Sequence, residues 1–441
     1  MEQFVYSQRR GKGFTLFLSI IRIASLEKLA MTNATTNPYI PANIHHHLFN
    51  DKLNMKKMLL FTDFSKIYFK CFLRTLCLFL IAFCSMSNTN AQILSDATTR
   101  QQISQGLDKM YSYDFKESAE IFLKIKAKYP THPVFYTLMA IQTELQYFPL
   151  KDYPNQQKVY LAYLNQSRNL AEAMLDKNED DIEASFFELA TLGYLAAHDA
   201  DNQEFMKAVG VAKKAYSHLK RGLSLTDKQP EFLYSSGIYN YYRVEYPETH
   251  SMIKTVIWMF ADGNKKLGLQ QLDLATRKTI FVKNEATFYA GYVYTKYESN
   301  FAKALTYNNI LIEKHPDNLL YQMQRTEFLT AVGRYDEAED YADKILKQKG
   351  IMFQCAGNIF KGLIAEKAKK DDKMAEILLQ KAVKMPFDER FTKDYHALAY
   401  MGLARIAKRA GEVDNMKEYA KKASKMAEYK STLAEAKAML K

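Results

Sequence analysis

Cysteine, glycine and proline are all scarce in this sequence of 441 residues, which has 4 Cys, 16 Gly and 10 Pro. A β-rich chain of this length would need many more turn-forming residues. Three of the cysteines precede residue 92, so Cys355 alone cannot form an intramolecular disulfide in the rest of the chain. Cys355 lies in an apolar helical context, which favours a buried structural thiol over a nucleophile. The composition therefore predicts an all-α protein with a sizeable core.

Acidic residues are fewer than basic ones, and the net charge is +12. The excess is uneven, because residues 1–91 hold 11 Lys and Arg against 4 Asp and Glu, while residues 92–441 hold 50 against 45. The larger part of the chain is only mildly basic and has no arginine-rich arm. We therefore expect no nucleic-acid partner.

Sequence motifs of known chemistry are also missing. The chain has no phosphate-binding loop, dinucleotide-binding glycine motif, His-Glu-x-x-His, Cys-x-x-Cys or nucleophile elbow. His198, Asp199 and Asp201 form one local cluster of possible metal ligands, but adjacent polar residues are more typical of a solvated connection. His45–His47 lie in an aperiodic leader. We predict no cofactor, no metal and no enzymatic activity.

The N-terminal region reads as two segments. Residues 1–54 precede a better start at Met55 or Met58 and are expected to be a non-native or disordered leader. Residues 55–91 resemble a signal peptide, with a basic start, a short apolar run at 76–83 and a small-residue end before Gln92. A buried apolar helix is the alternative. The Ala91–Gln92 junction is similar to signal ends of Bacteroidetes-like bacteria, which implies a periplasmic or outer-membrane-associated protein.

A repeat pattern follows the signal. Ser118 and Ala304 each precede a proline by twelve residues, at Pro130 and Pro316, and Ala338 follows Ala304 by thirty-four. Proline ends a helix, and Asp317 or Asn318 can cap the next one. This spacing of small residues and prolines resembles that of tetratricopeptide repeats (TPRs), whose period is about 34 residues. The resemblance implies an α-solenoid of antiparallel helix pairs.

The resemblance varies along the chain and predicts three parts. Residues 92–150 form an N-terminal TPR-like repeat, 151–280 a divergent helical segment, and 281–441 a C-terminal TPR array. Within the divergent segment we expect helices at 159–175, 183–197 and 204–223, with a polar break at 198–202. The stretch 237–269 is similar to a family of exported bacterial repeat proteins and to eukaryotic TPR proteins linked to inclusion-body clearance. That similarity implies no catalytic residue.

The apolar stretch 252–260 has two interpretations. As core, Ile253, Val256, Ile257 and Phe260 pack between the flanking repeats. As a functional edge, Trp258, Met259 and Phe260 are exposed and touch a partner or a membrane surface, which would make the association with the membrane peripheral.

A TPR solenoid presents a concave face lined by the first helix of each pair. The resemblance implies that residues near each first-helix glycine point into this groove, namely Glu231, Tyr234, Ile238, Tyr241, Glu285, Phe288, Tyr292, Met323, Glu327, Thr330, Ile359, Leu363 and Glu366. Aromatic rings in such places suit contact with a peptide or a glycan. The alternative is that many of these rings only pack between repeats.

The leading hypothesis is an exported scaffold that binds a protein or peptide in its concave groove. A glycan-binding or peptidoglycan-binding repeat protein is the alternative, which an exposed aromatic ladder would favour. An enzyme is a third hypothesis and would need a closed pocket with perturbed carboxylates.

Overall fold

A computed structural model describes residues 92–202, 204–249, 254, 257–387 and 392–441. The expected leader (1–54) and signal peptide (55–91) lie outside the described residues. So do Ile253 and Val256 of the apolar stretch. All statements below concern the described part of the chain.

Helices account for the regular structure of these residues, and no strand occurs among them. The helices are α1 (Ala97–Tyr111), α2 (Phe115–Lys128), α3 (Val134–Gln146), α4 (Pro154–Lys177), α5 (Ile182–Asp201), α6 (Phe205–Leu223), α7 (Phe232–Thr249), α8 (Lys265–Lys278), α9 (Lys283–Lys296), α10 (Phe301–Lys314), α11 (Leu319–Ala331), α12 (Tyr335–Leu346), α13 (Ile351–Ile364), α14 (Asp372–Val383), α15 (Lys393–Arg409), α16 (Val413–Met426) and α17 (Lys430–Met439).

Each helix packs mainly against its neighbours in sequence, as α1 does on α2 and α15 does on α16. Short connections reverse the chain between helices, so the elements form helical hairpins that stack in order. Eight hairpins run from α1 to α16, and α17 follows the last of them. The prediction of an all-α solenoid is confirmed.

The helix ends and the helix cap noted in the sequence are also as predicted. Pro130 and Pro316 each stand two residues beyond a helix end, at Lys128 and Lys314. Asn318 caps α11, because its side chain accepts hydrogen bonds from the N–H groups of Leu320 and Tyr321. Small residues at hairpin contacts let helices approach closely, and Ala338 and Ala342 are both buried on α12.

A close backbone approach joins α7 to α8 at two glycines. A Cβ on Gly268 would lie 2.5 Å from the backbone nitrogen of Tyr241, and one on Gly237 would lie 2.9 Å from that of Leu272. Contacts this short exclude any side chain unless the backbone moves. The two glycines therefore set the spacing of this hairpin.

The divergent segment differs from the prediction at one place. Helices α4 and α6 fall where they were expected, but the polar break at 198–202 is wrong, because α5 continues to Asp201. Asp199 is buried and pairs with Lys207 at 3.0 Å, so its charge is compensated inside the fold. Asn202 then ends the helix by donating its N–H to the carbonyl of His198.

The first hairpin contacts the sixth across the superhelix. Asn318 donates its side-chain N–H to the carbonyl of Tyr111 at 3.0 Å, and the backbone N–H of Leu319 donates to the Tyr113 hydroxyl at 3.0 Å. Ser112 Oγ lies 2.8 Å from His315 Nδ1. These contacts close the superhelix on one side.

The C-terminal end closes onto the middle of the chain. Lys296, at the end of α9, pairs with Asp394 of α15 and with Glu428 before α17. Lys430 pairs with Glu245 of α7. The inner surface is thus bounded by contacts between hairpins far apart in sequence. None of the described helices is long and apolar enough to cross a membrane.

Candidate functional site: an aromatic cavity inside the superhelix

A cavity of about 170 Å³ lies on the inner surface of the superhelix. Its lining comes from α1, α3, α5, α9, α11 and α15, which are first helices of their hairpins, and from the turns after α3 and before α17. A cavity of roughly 150 Å³ is large enough to hold benzene. The space therefore suits one side chain or a small molecule rather than a folded segment.

Aromatic rings make up much of the wall. Tyr111 stacks on Tyr321 with ring centroids 6.2 Å apart, and Phe288 lies 6.0 Å from the same ring. The remaining lining rings are Phe148, Tyr194, Tyr289, Tyr292, Tyr395 and Tyr429, and the aliphatic wall consists of Ile141, Leu145, Leu320 and Met323. Rings held on several helices give a large apolar contact area with little freedom to lose.

Glu285 of α9 places a carboxylate in this aromatic wall. The Tyr111 hydroxyl donates a hydrogen bond to Oε1 of Glu285, joining the first hairpin to the fifth. Oε2 is buried and has no hydrogen-bond partner among the described residues. Burial raises the pKa of Glu285 to about 7, although the Tyr111 hydrogen bond acts to lower it.

Glu327 of α11 is a second buried carboxylate in the lining, and both of its oxygens have partners. The Tyr395 hydroxyl donates to Oε2 at 2.8 Å, and the Tyr429 hydroxyl donates to Oε1 at 2.7 Å. Burial raises the pKa of Glu327 to about 7. Glu327 therefore joins α15 and the start of α17 to the cavity wall.

Asp394, a third lining carboxylate, belongs to an ion cluster behind the wall. Lys296 lies 3.0 Å from Asp394 and 2.5 Å from Glu428, and it donates to the Tyr292 hydroxyl at 2.6 Å. Burial disfavours the ammonium, but the two carboxylates keep the pKa of Lys296 well above its usual value. One cation is thus shared by two carboxylates.

The electrostatic character of the cavity follows from its lining. Glu144, Glu285, Glu327 and Asp394 line it, whereas no lining residue in the described chain is Lys, Arg or His. Lys296 lies behind the wall and pairs with Asp394 and Glu428. The cavity is therefore negative within a chain of positive net charge.

Several predicted groove residues meet in this cavity. Five of them line it together: Glu285, Phe288, Tyr292, Met323 and Glu327. Tyr234 stands behind the wall, with its ring 5.7 Å from that of Tyr289. Contact of these residues with a partner stays a prediction.

Three other predicted groove residues are buried in contacts within the fold. For them, the assignment to the groove that the resemblance implies is corrected. Tyr241 is fully buried, and its hydroxyl donates to Glu298 at 2.5 Å. Glu366 is buried and accepts from Arg405 at 2.6 Å. Glu231 accepts the N–H of Ile280 at 2.7 Å, at the start of the next hairpin. A partner cannot reach these groups in this structure.

Four further groove positions are spread over other surroundings. Ile359 is fully buried, and Ile238 packs against the core. Thr330 and Leu363 line a second cavity of about 200 Å³, next to Arg405. This second cavity adjoins the aromatic one, because Glu327 and Tyr429 line both.

Residues from the N-terminal hairpins were not anticipated in the site. Tyr111, Ile141, Glu144, Leu145 and Tyr194 all line the cavity. One sequence signal could have indicated this for α3, whose residues Val134–Gln146 carry apolar side chains on more than one face. A helix that is apolar almost all round is buried on more than one side.

Cys355 shows no sign of an activated thiol. It is fully buried, with Sγ 2.9 Å from Nε2 of His396, which is buried as well. Burial raises the pKa of Cys355 to about 12 and lowers that of His396 to about 4, so both groups are neutral at pH 7. A nucleophilic cysteine needs the opposite shift and an open approach. The described residues also contain no cluster of three or more potential metal ligands.

The described residues of the apolar stretch 252–260 support each interpretation in part: some are core, and one is exposed. Ile257 and Phe260 pack against the core, and the Phe260 ring lies 5.1 Å from that of Tyr216. Trp258 points outward, with 72% of its surface exposed. Among the described residues of the stretch, Ile257 and Phe260 therefore belong to the core, and Trp258 is exposed.

No protein-family model and no curated protein sequence matches the chain. Among solved structures, human IFIT1, solved as a dimer with PPP-AAAA, is similar over 71% of this chain and 68% of its own, at 16% identity and a TM-score of 0.38. A TPR protein from Parabacteroides merdae is similar over 68% and 99%, at 17% identity and a TM-score of 0.29. Yeast Tom70 is similar over 78% and 88%, at 13% identity and a TM-score of 0.27. The chain is TPR-like, as its own hairpins and repeat spacing indicate.

Proposed function

We propose that this protein is an exported TPR-like scaffold that binds a protein or peptide partner on the inner surface of its superhelix, in the cell envelope. The observation that carries the proposal is the aromatic cavity, which first helices of several hairpins build together. Binding energy at protein interfaces concentrates where one anchor side chain fills a well-packed pocket. A cavity of about 170 Å³ is suited to such an anchor.

A binding role, rather than catalysis, is part of the proposal. The rings and carboxylates of the cavity are held by contacts with each other, as Glu327 is by Tyr395 and Tyr429. A preorganised site of this kind binds with little loss of conformational entropy. The rings converge on a cavity, and among the described residues they do not form the exposed ladder that would favour a glycan.

Site-specific photocrosslinking in the host cell tests the partner. A photoreactive residue at Tyr289, in the cavity wall, is compared with one at Leu123, which is exposed on α2. We expect a discrete crosslinked protein from position 289, and we expect Leu145→Trp, which fills the cavity, to abolish it. Equal crosslinking from both positions, or none from position 289, would overturn the proposal.

Export rests on the sequence features of residues 55–91 and has its own test. We expect the chain isolated from its host to begin at Gln92 and to fractionate with the envelope. An unprocessed chain in the cytoplasm would contradict export, while leaving the cavity proposal open to the crosslinking result.

A further inference from the structure

The aromatic cavity combines apolar walls with carboxylates, and this combination restricts what it can hold. Four carboxylates line it, and no cationic side chain does so among the described residues. Lys296 pairs with Asp394 and Glu428 from behind the wall. Building on the proposed function, we infer that the cavity binds a lysine side chain of the partner, with the aliphatic stem between the rings and the ammonium against Glu285.

Glu285 has a buried oxygen that accepts no hydrogen bond among the described residues. Glu327 already accepts a hydrogen bond on each oxygen, from Tyr395 and Tyr429. Asp394 accepts from Lys296 and from the backbone N–H of Glu428. Glu285 accepts from Tyr111 on Oε1 only, which leaves Oε2 buried without a partner among the described residues. A buried acceptor without a donor is costly, and a ligand that supplies one removes that cost.

The single open oxygen favours lysine over arginine. Arginine binds carboxylates best through two parallel hydrogen bonds, which require both oxygens of one carboxylate. Oε1 of Glu285 already accepts from the Tyr111 hydroxyl, so a two-point contact with arginine would have to share that oxygen with the tyrosine. A lysine ammonium is a compact charge on an apolar stem and needs only one oxygen. The rings of Tyr289 and Tyr292, which also line the cavity, suit contact with the apolar stem.

The ionisation of Glu285 depends on the groups around it on each helix that packs against α9. Tyr111 of α1, Glu144 of α3 and Tyr321 of α11 surround it, and burial keeps the pKa of nearby His315 at about 4, so that ring is neutral. A bound ammonium favours the ionised carboxylate. Binding of lysine should therefore release a proton near neutral pH and strengthen from about pH 6 to about pH 8.

Calorimetry on the full chain tests the inference with three blocked tripeptides: acetyl-Ala-Lys-Ala-amide, the same peptide with arginine, and the same peptide with norleucine. Norleucine keeps the stem and lacks the ammonium. We expect the lysine peptide to bind about 10- to 100-fold more tightly than the norleucine peptide, and more tightly than the arginine peptide. Glu285→Gln should remove the preference over norleucine, whereas Glu376→Gln, an exposed charge change on α14, should keep it.

The outcomes separate this inference from the proposed function. Unchanged norleucine affinity and an unchanged melting temperature in Glu285→Gln would show that the cavity is intact. Equal affinity for the lysine and norleucine peptides, or no binding of either, overturns the inference. If position 289 still crosslinks a partner in the host, the scaffold proposal stands while the lysine inference fails. If crosslinking fails as well, both are wrong.

Discussion

The hydroxyl of Tyr111, at the end of the first helix, donates a hydrogen bond to the carboxylate of Glu285, 174 residues further along the chain. This contact ties the first hairpin to the fifth and fixes one wall of the aromatic cavity. The shape of the cavity is therefore a property of superhelix closure rather than of any single repeat.

Removing the Tyr111 hydroxyl tests whether this hydrogen bond helps to hold the first hairpin against the fifth. We expect Tyr111→Phe to lower the free energy of unfolding by about 1–2 kcal/mol, because it leaves the buried Glu285 carboxylate without its donor. Urea denaturation measures the change. Tyr153→Phe is the control, since Tyr153 is 45% exposed. Equal effects of the two substitutions would show that the contact contributes nothing specific.

The ion cluster at Lys296 holds the C-terminal hairpin against α9. We expect Lys296→Met to lower the free energy of unfolding by about 3–5 kcal/mol, because Asp394 and Glu428 would remain buried without their cation. Lys278→Met, at an exposed position, should change it by less than about 0.5 kcal/mol. Adding Asp394→Asn to Lys296→Met should recover part of the loss, and no recovery would contradict this explanation.

Two glycine substitutions distinguish a close helix contact from an open surface. Gly268→Ala should destabilise the protein by about 1–3 kcal/mol, because its Cβ would lie 2.5 Å from the backbone nitrogen of Tyr241. Gly210→Ala should stabilise it by about 0.5–1 kcal/mol, since no described atom lies within 4 Å of the added one and alanine favours the helix. Thermal denaturation measures both changes, and a shared sign would refute the close contact.

The raised pKa of Glu327 predicts a pH dependence of stability. Its value is about 7 in the folded chain against an ordinary value of 4.5, so the folded state holds the proton more tightly. This contribution favours folding fully below about pH 4.5 and is lost as the pH rises through about 7. Glu327 should thus reduce stability by an amount on the order of 1–3 kcal/mol between pH 5 and pH 8.

Glu327→Gln should make the profile of unfolding free energy against pH flatter over this range. Glu376→Gln, which changes an exposed carboxylate, should follow the profile of the unaltered protein. Parallel profiles for all three proteins would mean that Glu327 has an ordinary pKa.

The sequence predicted the features that depend on a few adjacent residues. Pro130 and Pro316 mark helix ends, Asn318 caps α11, and Ala338 and Ala342 are buried in a hairpin contact. Each follows from backbone sterics or from a local hydrogen bond, which are the same in any repeat protein.

The features that failed or were missed depend on contacts distant in sequence. Helix α5 runs through the predicted break because Asp199 is compensated by Lys207. Tyr241 is fully buried, and its backbone lies against Gly268 where α7 and α8 meet. Neither Tyr111 nor Leu145 was predicted to line the cavity. The curvature of the superhelix brings the first hairpins onto α9 and α11, and no short sequence pattern indicates that curvature.

The affinity of the crosslinked partner for two tryptophan variants is the most direct test of the central claim, that the inner cavity is the binding site. Leu145→Trp fills the cavity, and Leu123→Trp adds the same ring to an exposed face of α2. We predict that Leu145→Trp weakens binding at least about tenfold, a change of about 1.4 kcal/mol, while Leu123→Trp binds as the unaltered protein does. Equal affinity of both variants, with both folded, would show that the partner binds elsewhere and that the inner cavity is not the binding site.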